Sequence, residues 1–120
     1  MININFRDPR PIYEQVRDSF RQLILSGVLP AGDKMPSVRE LAAQLTINPN
    51  TIQRAYRELE TEGYICSVPG RGSFVSKTDA AVEQRKAELL EKYKALVKEL
   101  RLMGVTKEEL MALLRGGNEQ

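Results

Sequence analysis

Apolar residues recur along this chain with two periods, two and about three and a half, and the switches between them mark out its elements. Ile2, Ile4 and Phe6 alternate with asparagines, the period of a short strand with one buried face. Asp8-Pro9-Arg10-Pro11 then forces a turn, because each proline fixes its own φ and disfavours helix in the residue before it. Ile12, Val16, Phe20, Leu23 and Ile24 follow at helical spacing, which predicts a helix over about residues 11–26, ended by Gly27. Residues 29–36 (LPAGDKMP) form a loop by their proline and glycine content. Ser37 caps the next helix, with Glu40 three residues on as the other half of a capping box, and Val38, Leu41, Ala42 and Leu45 make its inner face. Arg39 points outward from its first turn.

Only Thr46 and Ile47 separate that short helix from the next, so the two must cross sharply. Residues 48–63 (NPNTIQRAYRELETEG) open with an N-cap, Asn48, and a proline at the first helical position, and close on Gly63. Ile52, Ala55, Tyr56 and Leu59 define the buried face. The other face carries Asn50, Arg54 and Arg57, flanked by Thr51 and Gln53: amide, hydroxyl and guanidinium groups of the kind that hydrogen-bond to base edges and phosphates. The acids Glu58, Glu60 and Glu62 come later, where a helix entering a groove by its N-terminal end would be leaving the duplex. Two helices joined this tightly, the second with such a face, form a helix-turn-helix.

Residues 64–68 and 73–75 are β-prone runs around Pro69-Gly70-Arg71-Gly72 and predict a hairpin whose tip carries Arg71 between glycines. An arginine there can enter a minor groove or bind a phosphate, and a plain exposed turn would look the same. Attached to a helix-turn-helix, the hairpin becomes the wing of a winged helix. From Asp79 the composition shifts to Ala, Glu, Lys and Leu. Leu89, Tyr93, Leu96, Leu100 and Met103 form a heptad seam widened by Leu90 and Val97. Gly104 interrupts it. Thr106 and Glu109 cap a closing helix with Leu110, Met111, Leu113 and Leu114, before Gly116-Gly117-Asn118 frays. These residues are too few for an independent core, so their stripe packs either back on the winged domain or on a second copy. A symmetric dimer is the favoured reading, because it also gives half-site spacing.

The expected fold is mainly α with a small β-hairpin: a winged helix-turn-helix DNA-binding domain over residues 1–78 and a two-helix dimerisation tail over residues 79–120. The net charge of +2 is too mild to announce nucleic acid. Residues 1–78 hold ten Lys and Arg against eight Asp and Glu, and residues 79–120 hold eight of each, so the excess lies in the front part. The absence of histidine removes His-dependent triads and His/Cys zinc sites, and no glycine-rich phosphate loop or converging carboxylates suggest an enzyme; neither a catalytic residue nor a metal or cofactor is expected. Cys66, alone, reads as a small packing residue in a strand. The start shows no signal peptide and no apolar run approaches a membrane span, which suggests a cytoplasmic protein.

Pro30, Gly32-Asp33, Met35-Pro36-Ser37, Arg39-Glu40-Leu41-Ala42, Asn50-Thr51, Ala55, Leu59, Glu62-Gly63 and Gly70 with Gly72-Ser73-Phe74-Val75, in that order, resemble the GntR family of bacterial transcription regulators over about residues 12–76. The opening INFRDPRPIYEQV, the NPNTIQRAYRELE run and the short tail are similar to its YtrA-like subfamily. The resemblance implies a dimeric repressor, often encoded beside an ABC transporter it controls. It also implies DNA contacts at Ser37 and Arg39, at Asn48, Asn50, Thr51, Gln53 and Arg54, and at Gly70 and Arg71. Some relatives carry arginine where this chain has Pro49 or Gln53, so the operator sequence does not transfer. The partners expected are double-stranded DNA and a second copy of the chain. A small-molecule effector could sit at the dimer seam beside Tyr93, although ordinary seam packing accounts for that residue too, and control could lie instead in residues 77–81. The rival reading is a winged-helix adaptor that binds a protein partner and has no specific DNA binding.

Overall fold

The computed structural model of the chain describes residues 2–117. Its elements are α1 (Ile12–Leu25), α2 (Val38–Leu45), α3 (Pro49–Thr61), β1 (Ile65–Val68), β2 (Gly72–Val75), α4 (Asp79–Leu102) and α5 (Lys107–Gly117). The chain divides into two compact units after Ala81. In the first, α1, α2 and α3 enclose a core closed from below by the hairpin. Val16, Phe20 and Ile24 meet Leu41, Ala42, Ile52, Ala55, Tyr56, Leu59, Tyr64, Ile65 and Val75, all buried. The helical stripes supply most of this set, each fully buried side chain contributing roughly 1.5–3 kcal/mol of apolar burial.

The hairpin is antiparallel, with Ile65 opposite Val75, Cys66 opposite Phe74, Ser67 opposite Ser73 and Val68 opposite Gly72. The preceding loop does more than connect. The Gly32 N–H donates to the Val75 carbonyl at 2.8 Å, the Val75 N–H to the Asp33 carbonyl at 2.8 Å, and the Met35 N–H to the Ser73 carbonyl at 2.8 Å. Residues 32–35 thus cover the outer edge of β2, which would otherwise present unpaired backbone groups.

Two expectations for the first unit need correction. Residues 2–6 do not form a strand. Ile2 is buried and Ile4 half-buried, as the alternation requires, but Phe6 is exposed and no partner strand is present among the described residues. Backbone groups here go instead to the buried Gln15 side chain: its Oε1 accepts from the Asn5 N–H at 2.9 Å, and its Nε2 donates to the Asn5 and Arg10 carbonyls at 3.1 and 3.2 Å. Cys66 is exposed and not a packing residue, because it alternates with the inward-facing Ile65.

The tight turn between α2 and α3 is made by Thr46 in the left-handed region (φ 55°, ψ 50°), the one non-glycine residue of positive φ among the described residues. A threonine tolerates that conformation poorly, and here the tertiary fold overrides the preference. The Ile47 N–H then closes onto the Ala42 carbonyl at 2.9 Å.

In the second unit, α4 has no buried residue. Leu89, Tyr93, Leu96, Leu100 and Met103 all lie exposed in the single chain, as do Leu90, Met111, Leu113 and Leu114. At the turn the Val105 N–H donates to the Leu100 carbonyl at 3.1 Å, and Thr106 Oγ1 accepts from the Glu109 N–H at 3.2 Å. α5 continues through Gly116 and Gly117, where fraying was expected; Asn118 lies outside the described residues. No helix among the described residues is long and apolar enough to cross a membrane.

Candidate nucleic-acid interface

The surface is built from two helix N-termini and a hairpin tip. At the start of α2, Ser37 Oγ accepts the Glu40 N–H at 3.1 Å, and Arg39 stands exposed one residue into the first turn. Asn48 Oδ1 accepts the Asn50 N–H at 2.8 Å with Pro49 at the first position of α3, so the cap consumes the Asn48 oxygen. Asn50 and Gln53 are exposed and Thr51 is half-buried. The wing turns where the Arg71 N–H meets the Val68 carbonyl at 2.9 Å, leaving the Arg71 side chain exposed. Gly72 has φ +112°, a conformation that strains any side chain, and a Cβ there would come within 3.1 Å of Lys34 Cε, a tight contact that the flexible end of the lysine can relieve.

These residues form groups and not one cluster. Gln53 and Gly70 border the same open groove of about 480 Å³ between α3 and the wing, together with Arg57 and Glu60. Ser37 and Arg71 border a second depression, with Lys34 and Gly72. Arg39 lies beside Pro49 at a third, shallow and largely apolar. Leu89, Tyr93, Leu96, Leu100 and Met103 belong to the other unit and are considered separately.

The electrostatics of α3 are settled by its acids. Glu58 accepts from Arg17 of α1 at 2.6 Å, and Glu62 takes Arg21 at 2.6 and 2.7 Å. Burial opposes the charge on Arg17, but its hydrogen bonds to Glu58 and Asp18 outweigh that and hold the guanidinium above its ordinary range. Glu60 accepts from the Ser67 N–H at 3.3 Å and the Ser67 hydroxyl at 3.0 Å, tying α3 to β1. All three carboxylates are therefore engaged by α1 or the hairpin. The outward face keeps its amides and the exposed Arg39, Arg54, Arg57 and Arg71, a combination suited to a polyanion.

Arg54 is less free than its position suggests. Its guanidinium carbon sits 3.7 Å from the centroid of the Tyr13 ring, and its Nε lies 3.7 Å from Glu58 Oε2. Sequence reasoning did not single out Tyr13. It shares the apolar spacing of α1, and nothing local links it to a residue of α3. Tyr56, at the back of the same helix, donates its hydroxyl to the Pro36 carbonyl at 2.7 Å and so fixes α3 to the entrance of α2.

Residues 12–75 match the sequence profile of the bacterial regulatory proteins of the gntR family. The HTH-type transcriptional repressor YtrA of Bacillus subtilis is 42% identical over 112 residues, spanning 92% of this chain and 86% of that protein. Among solved structures, a transcriptional antiterminator from Listeria monocytogenes superposes with a TM-score of 0.77 at 36% identity, covering 98% of this chain and 90% of that one. The AraR DNA-binding domain, solved in complex with its operator ORR3, superposes with a TM-score of 0.53 at 30% identity over 62% of this chain and 98% of its own. A helix-turn-helix with a wing, an acid-free first turn of α3 with exposed amides and arginines, and these relatives agree. The chain belongs to the gntR family of bacterial regulatory proteins, is YtrA-like over nearly its whole length, and is a DNA-binding transcription regulator rather than an enzyme.

Proposed function

We propose that the chain is a homodimeric repressor in which two copies of α3 enter successive major grooves of a pseudo-palindromic operator. In this reading Asn50, Thr51, Gln53 and Arg54 meet base edges, and the free amide nitrogen of Asn48 with Ser37 and Arg39 meets the backbone at the groove edge. The wing reaches the flanking minor groove through Arg71, with Gly70 letting the backbone come close. Residues 1–78 are the reader and residues 79–120 the pairing tail, working in the cytoplasm. The observation that carries the reading is that the first turn of α3 holds no acid, while Glu58 and Glu62 further along are paired with Arg17 and Arg21 of α1.

The exposed stripe of α4 supports the pairing, since a heptad seam left in water is unfavourable and a second copy is its natural cover. Repression would follow from occluding polymerase, and a transporter operon is the first place to look for the operator. A small apolar or cationic effector fits this reading at the seam beside Tyr93. The test is selection of bound fragments from a random duplex library, followed by titration of the selected duplex and a scrambled one. Asn50→Ala should weaken binding to the selected duplex by roughly 1–3 kcal/mol, while Arg71→Ala should weaken both alike and reduce the salt slope by about one. Wild-type protein that enriches no sequence would favour the adaptor reading.

A further inference from the structure

The guanidinium of Arg54 is held on two sides. Tyr13, in the first turn of α1, covers one face at 3.7 Å, well inside the distance at which a ring attracts a cation. Glu58 Oε2 faces its Nε at 3.7 Å. That carboxylate cannot swing over to capture Arg54, because its other oxygen is bound by Arg17 at 2.6 Å and Arg17 is itself held by Asp18 at 3.0 Å. What remains is the Nη edge of a side chain still more than half exposed. An arginine on a solvated helix face ordinarily samples many rotamers and must be ordered when it meets a ligand. This one is ordered in advance.

We propose that Tyr13 is a positioning residue of the DNA-reading surface: its ring fixes the Arg54 guanidinium on the α3 flank so that the Nη edge is presented to the duplex. The proposal rests on the reading that α3 enters DNA. The ring, and not the hydroxyl, does the positioning. Among the described residues Tyr13 Oη is engaged only by its neighbour Glu14, at 3.4 Å, whereas its face meets Arg54. A leucine could fill the same edge of the core but has no π face, and a lysine at position 54 has no plane to stack.

The full chain is titrated, by fluorescence anisotropy at one salt concentration, against a duplex selected from a random library and against its scrambled counterpart. Tyr13→Leu should weaken binding to the selected duplex about fivefold, the magnitude of a surface cation–π contact. Binding to the scrambled duplex should stay within about twofold of wild type, the usual scatter of independent sites. Tyr13→Phe should retain wild-type behaviour on both, and Tyr13→Leu should add nothing in an Arg54→Ala background. Arg54→Lys, a surface change that leaves the core intact, should lose discrimination as Arg54→Ala does. The proposal is overturned if Tyr13→Leu binds as wild type, if its loss is equal on both duplexes, if that loss persists undiminished without Arg54, or if Arg54→Lys retains full selectivity. Failure of the underlying reading is recognised separately, since wild-type protein would then select no duplex at all.

Discussion

Replacing Tyr56 by phenylalanine removes one oxygen from the centre of the reader and tests how α3 is fixed to α2. The ring is buried, edge-on to Phe20 with centroids 5.7 Å apart and planes at 88°, and phenylalanine preserves that packing. What is lost is the 2.7 Å bond to the Pro36 carbonyl, one residue before the Ser37 cap. An acceptor orphaned at this half-buried site costs about 1–2 kcal/mol. For a domain of this size each kcal/mol moves the midpoint by about 4–8 °C, so Tyr56→Phe should melt roughly 4–16 °C below wild type. Circular dichroism melts at one protein concentration measure this, the concentration being fixed because self-association would shift the midpoint.

The same hydroxyl has an alkaline signature. Burial, with Glu40 nearby, pushes the Tyr56 phenol well above its ordinary range. Below about pH 10 the phenol is neutral whether the chain is folded or not, and the penalty is constant. Above that, the unfolded wild type releases the proton while the native state keeps it, so wild-type stability falls and the gap to Tyr56→Phe narrows. A midpoint change under about 2 °C, or a gap that stays constant between about pH 8 and 11, would refute the assignment of the bond as a half-buried, load-sharing contact.

Two further outcomes follow. Gly72→Val puts a β-branched residue at φ +112° with its Cβ against Lys34, and should destabilise the wing by roughly 1–3 kcal/mol, seen as a lower melting midpoint and weaker binding to every duplex. Leu96→Glu with Leu100→Glu alters side chains that are 60% and 37% exposed in the single chain, so the helices should survive. If a second copy covers them, the pair together loses roughly 1.5–3 kcal/mol of burial per protomer and light scattering should report a monomer; an unchanged mass would remove the proposed seam.

The elements of the reader were legible because their signals are short-range. Ser37 and the Asn48-Pro49 pair announce two helix starts within a few residues of themselves, and the caps form as expected. The stripes of α1, α2 and α3 specify their buried faces through a period that any helix imposes. The hairpin follows from β-prone runs around Pro69-Gly70, and the gntR likeness rests on the order of those same short motifs.

What the fold alone decided lies wherever a residue takes a partner distant in sequence. Arg17 and Arg21 reach Glu58 and Glu62 across 41 positions, and no local pattern shows that these acids are neutralised and do not repel a duplex. Tyr13 beneath Arg54, residues 32–35 along the edge of β2 and the Gln15 side chain that displaces an expected strand are of the same kind. Periodicity fixes which way a side chain points from its own helix. Only packing determines what it meets there, because a pairing between distant segments becomes favourable after the core has brought their backbones together.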